Sequence, residues 1–320
     1  MVPAPKQNAR LKRLLSLFDD EDKLLQYPGI IKPGPGSRGR GRLLNPDIPP
    51  SAKLPLREKP LFFLRMLPNL AKIQKAEVRS IDSISQNPKN PKLKVDADFI
   101  ALLESELRGM GVKAIGYTTV PEDLIFKNKG ILYRNVIVLS YEMNRRSFDT
   151  APSFSSLYTA VRTYAVLGDI ANAGTDFLRR HGYGAQAGPS FGGLTFYPGL
   201  AERAGLGVRG RNGLLISPDC GPCQRLAVIY TSIENLPVTG TNVHAWVRDF
   251  CAKCGKCVRM CPGEAILKLP IDDGSSIPRH VIAGKCYPQF DDHYSCGICI
   301  KVCPLHVTGY DSLNEQTRSN

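Results

Sequence analysis

Eight of the ten cysteines lie between Cys251 and Cys303, in two runs with the spacing of iron–sulfur ligands. The first run, Cys251, Cys254, Cys257 and Cys261 before Pro262, reads C-x2-C-x2-C-x3-C-P; the second is Cys286, then Cys296, Cys299 and Cys303 before Pro304. A [4Fe–4S] cubane takes four thiolates, and in two-cluster ferredoxins the cysteine before proline reaches the other cluster. The spacing therefore assigns Cys251, Cys254, Cys257 and Cys303 to one cluster. Cys261, Cys286, Cys296 and Cys299 fall to the second, with Cys286 contributed from a distance. C-x2-C pairs also bind structural zinc, but zinc sites do not usually carry paired x3-C-P endings. Two cubanes move electrons one at a time, so the remainder of the chain must show where they go.

Two other motifs invite chemistry. The stretch 204–218 is a glycine-rich turn leading into a strand, in which Gly205, Gly207, Gly210 and Gly213 would let the backbone bend and come close to a ligand. It does not fit the dinucleotide fingerprint, because its glycines precede a strand instead of following one. Cys220-Gly-Pro-Cys223 has the letters of the thioredoxin motif. Thioredoxin chemistry needs the first cysteine at a helix N-terminus, whereas this one stands between two strands. A buried or loop thiol pair is the expected reading, with a redox disulfide or an extra metal contact as its rivals. Trp246 is expected to pack near the clusters.

The elements that must hold these residues can be read from periodicity. Asp96 can cap a helix running to about Met110, with Phe99, Leu102, Leu103 and Leu107 on one face and Gly111 ending it. Strands are expected at about 113–118, within 133–143, at 213–216 and at 225–232. A long helix is expected over 154–181, stopped by Gly182. Shorter helices are expected near 198–204 and 242–250, and an amphipathic helix over 8–27. Residues 28–95 read as irregular structure with short helical pieces around 60–76.

The chain has 320 residues and a formal net charge of +13. That length accommodates one large or two ordinary domains. Residues 1–95 carry 19 Lys or Arg against 8 Asp or Glu, with Pro-Gly repeats and the Ser37-Arg-Gly-Arg-Gly-Arg42 tract. A solvated, partly extended wrap is the plain reading; docking of an acidic electron donor or nucleic-acid contact are the sharper ones. No aromatic residues interleave with the Arg-Gly tract, which weighs against nucleic acid. Clustered thiolates suit a reducing compartment. No run approaches the roughly 20 apolar residues of a membrane span, and neither a twin-arginine nor a Sec signal is recognisable. A cytoplasmic location is the expectation.

Taken together, Arg179-Arg-His-Gly-Tyr183, the Ala-Gly-Leu-Gly segment with Arg211-Asn-Gly-Leu-Leu-Ile-Ser-Pro218, Gly221 and both cysteine runs in this order resemble the catalytic core of the corrinoid iron–sulfur reductive dehalogenases, over roughly residues 96–308. More distantly the chain is similar to epoxyqueuosine reductase. The resemblance implies an α+β chain. A nitroreductase-like α/β domain would hold base-off cobalamin against a ferredoxin-like domain with two [4Fe–4S] clusters. The cluster of Cys261, Cys286, Cys296 and Cys299 would be proximal to cobalt, and the other would receive electrons from outside. The resemblance further implies cofactor contacts from Gly205, Leu206, Gly207, Arg209, Gly210, Asn212, Gly213, Ser217, Pro218 and Gly221. No axial protein ligand to cobalt is implied, and His293 is expected to be structural.

Replacing carbon–halogen by carbon–hydrogen takes two electrons and one proton, so the protein must supply a proton donor. The resemblance points to a tyrosine on the long helix, Tyr164 by its spacing to Tyr183, with Arg211 as the partner cation and Arg209 as second choice. Core packing is the competing role for Tyr164, and Asp169 is the competing acid. The expected organisation is a basic N-terminal region at 1–95, the cobalamin-binding domain at 96–241, the two-cluster domain at 242–308 and a tail at 309–320. The expected activity is reductive dehalogenation of a small organohalide, fed by a low-potential donor such as ferredoxin or flavodoxin. An epoxyqueuosine-reductase-like enzyme, with tRNA as one possible anionic partner, and a two-cluster electron carrier without cobalamin are the alternatives.

Overall fold

The computed structural model describes residues 23–39, 59–191, 193–272 and 274–318. The expected helix over 8–27 lies almost wholly outside them; only Lys23–Gln26 is seen, as a single 3-10 turn.

The centre is a four-stranded antiparallel sheet. Its strands are β1 (Ala114–Thr119), β2 (Asn135–Glu142), β3 (Ala185–Gly188) and β6 (Gln224–Thr231), in the order β1-β2-β6-β3. The uninterrupted apolar run Val136-Ile-Val-Leu139 is explained by burial on both faces. Ile137 and Leu139 pack with Ala227 and Ile229 under the helices of one side. Val136 and Val138 pack with Val228 and Tyr230 against the other.

Helices cover the first face. α1 (Lys59–Asp82), α2 (Ala97–Gly109), α3 (Arg145–Asp149) and α4 (Phe154–Arg180) follow in chain order. Asp96 caps α2 through its carboxylate, which accepts from the Phe99 N–H at 2.7 Å, and Gly111 and Gly182 turn the chain at positive φ after α2 and α4. Ser153 and Ser156 form a reciprocal capping box at the start of α4. α4 packs against α1, where Asn172 donates to the Ala76 carbonyl at 3.1 Å. The other face carries α5 (Tyr197–Arg203) and the two-residue strands β4 (Val208–Arg209) and β5 (Leu215–Ile216).

The C-terminal module consists of α6 (Trp246–Cys254), α7 (Lys256–Arg259), the hairpin β7 (Ile266–Ile271) with β8 (Arg279–Val281), α8 (Ala283–Asp292), α9 (Ile298–Lys301), α10 (Pro304–Val307) and α11 (Tyr310–Arg318). Two expectations are corrected. The short pieces expected around 60–76 are one 24-residue helix that continues through Pro68. The helix expected at 242–250 starts at Trp246 and runs on to carry Cys251 and Cys254. Of the segment 309–320, Tyr310–Arg318 is the helix α11, whose Tyr310 and Leu313 are buried.

Candidate functional site

The eight C-terminal cysteines come from short helices joined by left-handed residues. α6 brings Cys251 and Cys254, Gly255 turns the chain at φ 55°, and α7 brings Cys257. Cys261 follows α7 and accepts from the Ala265 N–H at 3.3 Å. α8 carries Cys286. A run of positive φ at Tyr294, Ser295, Cys296 and Gly297 then folds Cys296 back beside Cys299 of α9. Cys303 caps α10 ahead of Pro304.

The thiols influence one another in two sets. Burial, then the neighbouring Cys254, raises Cys251. Burial, then Cys251 and Cys254, pushes Cys257 up to about 11. Burial pushes Cys303 up to about 12, with Cys251 and Cys257 adding to it. In the second set burial dominates again. Cys286 is raised further by Cys261 and Cys296, and Cys296 by Cys261. Cys299 feels all three of its set and Cys257 of the other, so the two sets meet there. Main-chain N–H groups of Arg211, Gly297, Ile298, Leu305 and His306 oppose these shifts by donating to the sulfurs. Buried sulfurs ringed by N–H donors are suited to an anionic metal–thiolate centre. Among the described residues no three His, Cys, Asp or Glu side chains form a single-ion site.

Several glycines of the glycine-rich segment, and Gly221 after it, stand close against the chain itself. A Cβ on Gly207, at φ +154°, would stand 2.1 Å from the Ile216 carbonyl oxygen. On Gly221, at φ +55°, it would stand 2.6 Å from that of Leu305. The close approach at both is to the chain itself, in the first case across the β4–β5 pair and in the second onto the cysteine module. Beside them, Gly205 faces Thr239, Gly210 faces Ile216 and Gly213 faces His280. Leu206 packs into the core. Asn212 donates to the Cys299 carbonyl at 3.3 Å. The Ser217 hydroxyl accepts from the Cys220 N–H and the Gln224 amide, and Pro218 is half-buried in the same turn. These residues join the sheet domain to the cysteine module.

The cation set against Tyr164 is Arg225, not Arg211 or Arg209. Its guanidinium carbon lies 4.4 Å from the Tyr164 ring centre, and Phe191 meets the same ring edge-on at 5.1 Å. Arg211 instead sits in the turn whose N–H reaches Cys251. Arg209 is held by Glu202 at 2.8 Å and lies over Phe196. Burial alone would raise Glu202, but the contacts from Arg209 and Arg248 outweigh it and leave its carboxyl below the ordinary range. Asp169, the rival acid, is exposed. The Nε of Arg225 is buried without a partner. That orphaned donor beside a phenol marks a place that a bound group would complete.

Sequence reasoning missed Arg225. The signal was present: it is the only charged residue in the apolar strand Gln224–Thr231, and a charge there calls for a reason. It also missed the contact from His306 to Asp149, 2.9 Å, which fastens α10 to α3. Cys220 and Cys223 are both fully buried. Burial, then the nearby Glu142 carboxylate, pushes Cys220 up to about 11, and burial pushes Cys223 up to about 12. Burial thus favours the protonated, less nucleophilic form of both thiols. The Trp246 indole donates to the Tyr310 hydroxyl at 2.9 Å, next to Cys251 and Cys303 in the module's apolar core. His293 is exposed, with Nδ1 3.3 Å from the Gln289 carbonyl.

The family described as "4Fe-4S binding domain" matches residues 244–267, a segment containing Cys251, Cys254, Cys257 and Cys261. The tetrachloroethene reductive dehalogenase of Dehalobacter restrictus is 36% identical over 164 residues, covering 51% of this chain and 29% of that protein. That of Sulfurospirillum multivorans is 33% identical over 184 residues, covering 53% and 35%. Over about half its length the chain is similar to these reductive dehalogenases. It spans about a third of the length of these curated relatives. The epoxyqueuosine reductase of Listeria monocytogenes is a more distant relative, 32% identical over 123 residues, or 35% of this chain and 30% of that protein. A solved reductive dehalogenase, described as suggesting a mechanism for B12-dependent dehalogenation, shares the fold with a TM-score of 0.65. At 21% identity it covers 82% of this chain and 40% of that one. Among the described residues no helix is long and apolar enough to cross a membrane.

Proposed function

We propose that this chain supplies the reducing core of a cobalamin-dependent iron–sulfur enzyme that replaces a carbon–halogen bond of a small organohalide by carbon–hydrogen. What supports this reading is the spacing of the two cysteine runs, with thiols raising one another mainly within Cys251, Cys254, Cys257, Cys303 and within Cys261, Cys286, Cys296, Cys299, in a chain similar to tetrachloroethene reductive dehalogenases. Each set would hold one [4Fe–4S] cluster. Cys299 packs with Met143, Phe148, Ala151 and Leu214, so the second set is the inner one, next to a nitroreductase-like domain at 96–241.

The reaction takes up two electrons and one proton; the carbon–halogen bond breaks with the halide leaving as an anion, and a carbon–hydrogen bond forms. Cobalamin, held near Arg225 and Tyr164, would supply the low-potential centre for that bond cleavage. Tyr164 gives the proton. Its hydroxyl makes no hydrogen bond among the described residues, while its ring is fixed by Phe191 and Arg225. Arg225 stabilises the phenolate left behind. Asn212, through its bond to the Cys299 carbonyl, holds the inner cysteine loop against the sheet domain. Electrons enter from a ferredoxin or flavodoxin.

The test is halide release from a panel of haloalkenes and haloaromatics by the reconstituted protein under a low-potential reductant. Release that requires both cobalamin and Tyr164 supports the proposal; cobalt-loaded, reducible protein that releases no halide from any of them contradicts it. The similarity to epoxyqueuosine reductase and the basic region 1–95 favour a second reading, which predicts reduction of epoxyqueuosine in tRNA by the same preparation.

A further inference from the structure

We infer that the outer face of α6 and α7 is the docking surface for an acidic protein carrying a low-potential one-electron centre. The inference rests on the cluster reading above and adds where the donor binds and what its surface is like.

From the start of α6 at Trp246 to Ile271 the chain has five Lys or Arg against two acids, Asp249 and Glu264. Lys253, Lys256 and Arg259 recur at three-residue intervals around Cys254 and Cys257, and all three are exposed. None of the three makes an ion pair among the described residues, in contrast to Arg209 and Arg248, which share Glu202. Unpaired cations on one face lose little on meeting an acidic partner, since no internal bridge must first break.

Apolar surface accompanies the charge. Met260, at the end of α7, is 52% exposed; on β7, which packs against α7, Leu269 is 73% and Ile271 45% exposed. Exposed apolar side chains within a predominantly basic surface are the composition of a transient docking site: charge steers the encounter and the apolar contacts hold it briefly.

The position suits the role. Electron tunnelling weakens steeply with distance, so a donor must approach the cysteine set nearest the surface. The inner set is covered by α3 and the start of α4 through Cys299, Phe148 and Ala151. The helices bearing Cys254 and Cys257 have their charged side open.

The experiment uses the cluster-loaded protein. An acidic [2Fe–2S] ferredoxin, reduced beforehand, is mixed with it anaerobically and cluster reduction is followed by stopped-flow absorbance. Photoreduction with a deazaflavin is the comparison that needs no docking. In the triple variant K253E/K256E/R259E, reduction by ferredoxin is expected to slow at least ~10-fold at low ionic strength. Iron content, thermal stability and deazaflavin photoreduction should stay unchanged. Wild-type rates should fall as salt rises. The pair K72E/K75E on α1 should behave as wild type. Intact, photoreducible clusters in a triple variant that ferredoxin reduces at the wild-type rate overturn the docking face alone. A protein whose iron cannot be photoreduced overturns the cluster reading beneath it, and the docking face with it.

Discussion

The guanidinium of Arg225 caps the ring of Tyr164 at 4.4 Å, from a strand that faces the helix bearing the tyrosine. The contact is to the ring, so it survives loss of the hydroxyl. Y164F should therefore keep its fold and cofactor content while halide release falls ~10² to 10⁴-fold, the range for removal of a positioned proton donor. R225K should retain more activity than R225Q, because a cation stays near the phenol. Turnover measured alongside iron and cobalt content checks both, and an active Y164F would remove Tyr164 from the chemistry.

The two cysteine sets make a prediction that single substitutions cannot. Replacing Cys254 and Cys303 together by Ala should remove one cluster, leaving about four irons. Replacing Cys254 and Cys286 together should damage both and leave far fewer. Equal losses from the two pairs would show that the partition is wrong. Iron analysis with EPR of the reduced protein distinguishes the cases.

Glu202 is gripped by Arg209 and Arg248 and is nearly buried. Its folded carboxyl titrates below its ordinary value of 4.5, so the stability it contributes is present above that value and is lost as the pH falls through the folded one. E202Q should cost about 3 kcal/mol at pH 7 by leaving Arg209 buried and unpaired. The difference from wild type should shrink only under acid. Denaturant unfolding of both proteins across the pH range measures it; a penalty that shrinks at neutral pH would contradict the assignment.

Gly207 cannot accept a side chain, with φ at +154° and the Ile216 oxygen in the way. G207A should cost about 3 kcal/mol or more and detach the β4–β5 pair from its register. G240A, at an exposed glycine with nothing within 4 Å, should change stability by no more than about 0.5 kcal/mol. Thermal melts of the two variants give the comparison.

Much of this was legible in the sequence, for local reasons. Asp96, Gly111 and Gly182 marked helix ends because caps and positive φ act within one turn. The first cysteine run was legible as a [4Fe–4S] binding segment because ligand spacing follows from the cluster it wraps. Long-range neighbours were not legible. Arg225 and Tyr164 lie 61 positions apart, and the antiparallel registry that brings them together is set by the whole sheet. The packing of Gly207 against Ile216 was not legible either, because glycine freedom can serve a ligand or the chain's own backbone and the contact is tertiary. Pro68 concealed the continuity of α1, since proline usually breaks a helix and here does not.

The central claim is that one chain joins two cubanes to a corrinoid. Its most direct test is iron and cobalt analysis of protein expressed anaerobically with hydroxocobalamin. The account predicts about eight iron and one cobalt per chain. About eight iron with no cobalt, even after reconstitution, would contradict it and leave a two-cluster electron carrier.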